Sequence, residues 1–162
     1  MRQDSKLSSI LHVLLHMAHG QRAMTSEELA QYLTTNPVLV RRVLAGLRSR
    51  GYVSSDKGHG GGWVISCDLQ TVTLRDIYDA LGAPTVFAMG NRNDKPECLV
   101  EQVVNEALAT AFDEAEALLI ARLGDVTLAD LAREFSRKFN AHSKNKGKSH
   151  DHHDNHHQGH DV

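Results

Sequence analysis

Apolar residues recur at helical spacing from the start of the chain. Leu7, Ile10, Leu11, Leu14, Leu15 and Ala18 fall at i, i+3, i+4, i+7, i+8 and i+11, the stripe of a helix with one buried face, and Gly20 closes it. Thr25-Ser-Glu-Glu28 reads as a capping box, so a second helix starts there and buries Leu29, Ala30 and Leu33. After Thr34-Thr35, Asn36 offers an N-cap oxygen, and Pro37 takes the first helical position, where its missing N–H costs nothing. A third helix then runs to about Arg50 and stops at Gly51. Two short helices joined by so tight a turn, with a first helix behind them, predict a helix-turn-helix. The period then changes: Tyr52-Val-Ser-Ser55 and Trp63-Val-Ile-Ser66 predict two short strands around a run holding Gly58, Gly60, Gly61 and Gly62, a β-hairpin placed as a wing.

Thr73-Leu-Arg-Asp76 caps a fourth helix with Leu74, Ile77, Tyr78 and Leu81 on one side, ended by Gly82. From Cys98 to about Leu123 there is neither Gly nor Pro, and Val100, Val103, Val104, Ala107, Leu108, Ala111, Ala115, Leu118 and Leu119 keep a helical stripe. At 1.5 Å per residue this helix is roughly 39 Å long, more than a small helical head needs to cover itself, so part of the stripe is expected to pack on a second copy. Thr127-Leu-Ala-Asp130 opens a last helix carrying Leu128, Leu131 and Phe135. Val72-Thr-Leu-Arg-Asp-Ile77 and Val126-Thr-Leu-Ala-Asp-Leu131 match each other, which reads as two uses of one capping box rather than a duplication.

The expected fold is therefore mainly α with a small β-hairpin. A winged helix-turn-helix head spans 1–82, a loop 83–97, and a long dimerisation helix with a C-terminal helix 98–139. A polar tail over 140–162, with six histidines between His150 and His160, is too poor in apolar residues to join a core and is expected to be disordered.

Charge changes this picture only when divided. The formal net charge is −2 over 162 residues, unlike a generic polyanion binder. Residues 1–57 nevertheless carry eight Lys or Arg against four acids, and residues 58–139 seven against thirteen, so one basic end is free to meet an anion. Two cysteines, Cys67 and Cys98, are too few for a disulfide-built fold and form no Cys-x-x-Cys pair, which favours a reducing compartment. The apolar segment Ile10 to Ala18 is broken by His12 and His16 and is too short to span a bilayer, so no membrane association and a cytoplasmic location are expected.

On the third helix Val40, Val43, Leu44 and Leu47 share one side, while Val38, Arg41, Arg42 and Ala45 share the other. Arginine suits a bidentate contact to guanine O6 and N7, and a short aliphatic suits a thymine methyl, so this second side can enter a major groove of double-stranded DNA or remain an ordinary solvated face. The glycine run fails the dinucleotide fingerprint because strands flank it on both sides, and the only Gly-Lys-Ser, at 147–149, lacks the rest of a P-loop. As a wing tip, Gly58, Gly60 and Gly61 let the backbone approach a phosphate closely, Lys57 adds charge and His59 reaches the same groove; the bland reading is a tight hairpin.

Cys98 at a helix N-terminus sits where the dipole favours the reactive thiolate, and is otherwise a small buried filler. His12, His16 and His19 lie on one flank of the first helix, without a carboxylate or cysteine spaced among them, and no metal site is expected there. The histidine tail either binds metal without fixed geometry or is inert. No paired carboxylates, Ser/His/Asp arrangement or metal triad emerges at usable spacing, so no enzymatic activity is expected.

Asn36 to Arg50, Gly51-Tyr-Val-Ser-Ser55, Lys57-Gly-His-Gly-Gly-Gly-Trp63, the two Thr-Leu-x-Asp boxes and Cys98-Leu-Val100 follow one another in an order that resembles the winged-helix regulators typified by IscR, NsrR and CymR, the Rrf2 family. The resemblance covers roughly residues 1–139. It implies a homodimeric bacterial transcription factor, usually a repressor, on an imperfect palindrome. By position, Val38, Arg41 and Arg42 would read bases, and Lys57 with Gly58, His59, Gly60 and Gly61 would form the wing contact. Thr25 and Ser26 would hydrogen-bond phosphate through side chain or backbone N–H.

Iron-sulfur members place three cysteines in the loop before the long helix, the sensor region. Here only Cys98 fits, at the last of those positions, so the resemblance is to a member without the cluster ligands, no cofactor is expected, and Cys98 is the sensor candidate for a redox response. The alternative is a metal-responsive or interaction protein that uses the histidine tail. The resemblance does not name the effector.

Overall fold

A computed structural model describes residues 6–56, 58, 61–84, 86 and 98–148, the side chains of 144–148 excepted. Three helices form the head: α1 (Lys6–Gly20), α2 (Ser26–Leu33) and α3 (Pro37–Ser49). They are followed by β1 (Val53–Asp56), β2 (Gly62–Ile65), α4 (Leu74–Ala80), α5 (Leu99–Gly124) and α6 (Leu128–Lys148).

Local chemistry sets most of these boundaries. Thr25 and Glu28 close a complete capping box on α2, and Asn36 Oδ1 accepts the Val38 N–H at 2.7 Å in front of Pro37. At the end of α3, the Tyr52 N–H reaches the Leu47 carbonyl (3.1 Å) and the Gly51 N–H the Arg48 carbonyl (3.0 Å), with Gly51 at φ 79°. This is the left-handed helix stop for which glycine is suited.

The buried faces of α1, α2 and α3 meet through Val13, Leu14, Leu29, Leu44 and Leu47, and Val53, Ile77 and Leu128 extend the same core under the hairpin and the C-terminal helix. Truncating one of these leucines to alanine costs about 2–5 kcal/mol by lost transfer and residual cavity.

β1 and β2 pair antiparallel with Val53 opposite Ile65 and Asp56 opposite Gly62, each strand within one residue of its expected position. The sheet has a further contact that periodicity does not reveal. Met24, in the link between α1 and α2, exchanges both backbone hydrogen bonds with Trp63 (2.8 and 3.0 Å), so the hairpin is stitched to the helix-turn-helix.

The two matching hexapeptides also do more than cap. Thr73 and Thr127 bridge antiparallel: the Leu74 N–H donates to the Val126 carbonyl and the Leu128 N–H to the Val72 carbonyl, both at 2.9 Å. Each threonine also closes its own capping box, with Asp76 and Asp130 respectively. The starts of α4 and α6 are thus joined back to back by a local two-fold pairing, which holds the C-terminal helix against the head.

Two expectations change. α6 continues to Lys148, past residue 140 where the polar tail was expected to start; the polar residues of 140–148 carry no apolar stripe to signal a helix, but their lysines suit a helix C-terminus. The tail's histidines from His150 onward lie outside the described residues, as does most of the 83–97 loop. Second, α5 has no buried residue, so its apolar surface is exposed along nearly its whole length rather than along part of it.

Candidate nucleic-acid interface

The core side of α3 holds Val40, Leu44 and Leu47, and the opposite side leaves Val38 64 % exposed together with Arg41, Arg42 and Ala45. Arg42 makes no ion pair among the described residues, whereas Arg41 is tied to Glu27 of α2. Arg41 must therefore leave an acid to reach a base edge, and Arg42 need not.

The N-terminus of α2, expected to meet phosphate, already holds an internal anion. The Glu28 carboxylate accepts the Thr25 N–H (2.7 Å) and an Arg22 guanidinium N–H (2.8 Å), and the Thr25 hydroxyl accepts the Glu28 N–H (3.1 Å). Arg22, with help from the cap, holds the Glu28 carboxyl at about 2. Ser26 departs further from expectation: it is 6 % exposed, and its hydroxyl accepts the buried Trp63 Nε1–H at 3.0 Å. The side-chain route from Ser26 to a phosphate is closed by this burial, which leaves the backbone N–H groups of the helix start.

Arg48, which sequence reasoning passed over, links the recognition side to the hairpin. Its Nη1 donates to Ser55 Oγ (3.0 Å), and its guanidinium lies 5.8 Å from the Trp63 ring centre. A signal was present: Arg48 follows Arg41 by seven residues, two helical turns, and so lies on the same stripe.

The wing glycines divide by physical cause. Gly58 has φ 104°, and its carbonyl accepts the Gly61 N–H at 3.0 Å. A Cβ on Gly61 would lie 2.4 Å from the Asp56 carbonyl oxygen, and one on Gly62 would lie 2.8 Å from the Met24 carbonyl oxygen. Gly58 and Gly61 are thus required by the hairpin and Gly62 by its contact with the Met24 link, so their number is no argument for contact with a ligand. Lys57, His59 and Gly60 lie outside the described residues.

Cys98 is exposed at the N-cap of α5. The N–H groups of Glu101 and Val100 in the first turn hold its thiol below the ordinary cysteine value, while burial pushes the half-buried Cys67 thiol up. Among the described residues no group of three or more His, Cys, Asp or Glu side chains could hold a metal ion. Likewise, no helix among them is long and apolar enough to cross a membrane.

A family described as an iron-dependent transcriptional regulator, Rrf2, matches residues 3–134. The iron in that description does not find its thiolates here: the chain has two cysteines, one half-buried at the end of the hairpin and one at α5, which cannot furnish a three- or four-thiolate cluster.

Among relatives, YwnA of Bacillus subtilis (strain 168), named as a candidate HTH-type transcriptional regulator, is 25 % identical over 128 residues, 79 % of this chain and 95 % of that one. YffB of Lactococcus lactis, similarly named, is 26 % identical over 151 residues, 86 % and 92 % of the two chains. A solved structure of a candidate transcriptional regulator from Lactobacillus plantarum superposes with a TM-score of 0.69 at 27 % identity, covering 89 % of this chain and 99 % of that one. IscR of T. potens shares the fold with a TM-score of 0.62 at 16 % identity, over 83 % and 88 %. The helix-turn-helix with its stitched hairpin, the long exposed helix and the span of the family match agree: the chain belongs to the Rrf2 family of DNA-binding transcriptional regulators.

Proposed function

We propose that the protein acts as a homodimer that represses transcription by occupying a palindromic operator, with α3 in the major groove and the hairpin along the flanking backbone. The observation that carries this reading is the pairing of two unsatisfied surfaces: the exposed Val38, Arg41, Arg42 and Ala45 side of α3, and an α5 with no buried residue. Leu99 at 74 % and Val103 at 65 % exposed would be unusual on a monomer, and covering them with a second copy gives the two-fold symmetry that a palindrome mirrors. Arg42 is the first residue to reach base edges, Arg41 follows on release from Glu27, and Lys57 with the Gly58–Gly61 tip lies on phosphate.

Cys98 supports a redox-responsive form of this reading. Its thiolate attacks a peroxide oxygen, the O–O bond breaks, hydroxide leaves, and the sulfenic acid that forms loosens the dimer helix and releases DNA.

Footprinting on the gene's own upstream region, with light scattering on the same sample, tests the proposal. The expected result is a dimer protecting a palindromic site, with log affinity falling steeply in log salt. Val103→Lys is expected to give monomers that lose the footprint. A monomeric wild-type protein, or binding indifferent to sequence, would overturn it, and an unchanged peroxide response in Cys98→Ser would remove the redox part alone.

A further inference from the structure

On the outer flank of α1, the Nε2 atoms of His12 and His16 lie 2.9 Å apart. The pair stands on successive turns of one helix, four residues apart, the spacing by which two imidazoles of a helix bite one ion. His16 is held from two sides. Its ring stacks on Tyr32 of α2, with centres 3.9 Å apart and planes 17° from parallel, and meets Phe135 of α6 edge-on at 6.2 Å. His12 is exposed, so the open side of the pair faces water. His19 turns away, packing on Phe135 and Phe139 at 5.1 and 5.0 Å.

From this geometry we infer that His12 and His16 form a two-imidazole clamp for a divalent transition-metal ion, Cu2+ above all, with the remaining positions open to water. With metal–nitrogen bonds of about 2.0–2.1 Å, nitrogens 2.9 Å apart subtend about 90° at the ion. That is the angle between neighbouring ligands in a tetragonal or octahedral site, and a tetrahedral ion such as Zn2+ would want them about 3.3 Å apart. The 2.9 Å contact is an N–H···N hydrogen bond in which one Nε2 carries the ring proton; an ion taking its place requires that proton to move to Nδ1, which frees both Nε2 lone pairs as ligands. The aromatic shelf of Tyr32 and Phe135 fixes the His16 ring beforehand, which lowers the ordering cost of binding. The site touches the helix-turn-helix through Tyr32.

The test uses the full-length chain with the six histidines between His150 and His160 changed to glutamine, so that the tail cannot bind. Cu2+ alone is titrated against a glycine competitor in the absence of DNA. One ion per chain is expected, with a tetragonal electron-paramagnetic-resonance signal split by two imidazole nitrogens. His12→Ala and His16→Ala should each weaken binding by about a hundredfold, since the second ligand acts as an intramolecular, high-local-concentration partner; His19→Ala should leave it unchanged. His12 is exposed, so His12→Ala keeps the fold and its circular dichroism serves as control. Affinity unaffected by His12→Ala, or a signal from a single nitrogen, would overturn the inference.

Discussion

Replacing Ser26 by alanine leaves the Nε1–H of Trp63 pointing at a methyl group in a site from which water is nearly excluded, since Ser26 is 6 % and Trp63 8 % exposed. A buried donor stripped of its acceptor costs about 1–3 kcal/mol. Alanine also gains a few tenths of a kcal/mol in helix propensity at the start of α2, which offsets part of that. A net loss near 1.5 kcal/mol is the working figure, or roughly 3–6 °C in melting temperature for a chain of this size.

The two effects separate in a double-mutant cycle. Trp63→Phe removes the donor along with part of a buried ring, and Ser26→Ala made in that background strands nothing, so the coupling energy should be about 1 kcal/mol. Urea denaturation of the four proteins at one fixed concentration measures it, fixed because dimerisation would otherwise shift the apparent stability. Operator titrations over a range of salt complete the assay, and Ser26→Ala should leave the salt slope unchanged. A coupling below about 0.3 kcal/mol would refute the anchor. So would a slope reduced by about 0.9 with stability intact, which would place Ser26 on a phosphate.

Four further outcomes follow from the same geometry. Arg42→Ala should cost about 1–3 kcal/mol of operator discrimination, whereas Glu27→Gln, by releasing Arg41, should tighten binding; a gel-shift titration in which Glu27→Gln weakens binding would contradict the ion pair's masking role. Gly61→Ala should destabilise by about 1–3 kcal/mol because the new methyl meets the Asp56 carbonyl, while Gly46→Ala, in mid-helix with open space around it, should stabilise by about 0.5–1 kcal/mol; equal effects in urea would show the hairpin contact to be slack.

The Glu28 carboxyl, lowered from the usual 4.5 to about 2, contributes stability that is fully present above the usual value and is lost as pH falls through the lowered one. The acid limb between those values should flatten in Glu28→Gln and shrink in high salt, since the Arg22 partner is exposed. An acid limb identical in both proteins would count against it.

Much of the fold was legible because its signals are local. Capping boxes at Thr25, Thr73 and Thr127, Pro37 at a helix start, Gly51 at a helix stop and the switch from helical to strand period at Tyr52 each act within a few residues, and each boundary fell within one or two positions of its expected place. The outward side of α3 was readable for the same reason, as was the length of α5.

The wing was readable as a hairpin, but the crowding of Gly61 and Gly62 against Asp56 and Met24 depends on where other backbone passes, which spacing does not encode. The Ser26 side chain is engaged by an indole 37 residues away, a partner that chain position does not reveal. The matched hexapeptides were visible as two caps, yet their pairing with each other was not, because a cap is satisfied within one turn and an antiparallel bridge needs two distant segments to meet.

The sequence by itself determined which stretches are helix or strand, which face of each is apolar, and which residues lie on the outward side of α3, because these follow from periodicity and from hydrogen bonds closed within a turn. Only the tertiary structure decided which polar groups are already engaged. Glu27 holds Arg41, Trp63 holds Ser26, Met24 fastens the hairpin, and Tyr32 with Phe135 sets the ring of His16 beside His12. Those partners come from different elements, and only folding brings them within hydrogen-bond or stacking distance.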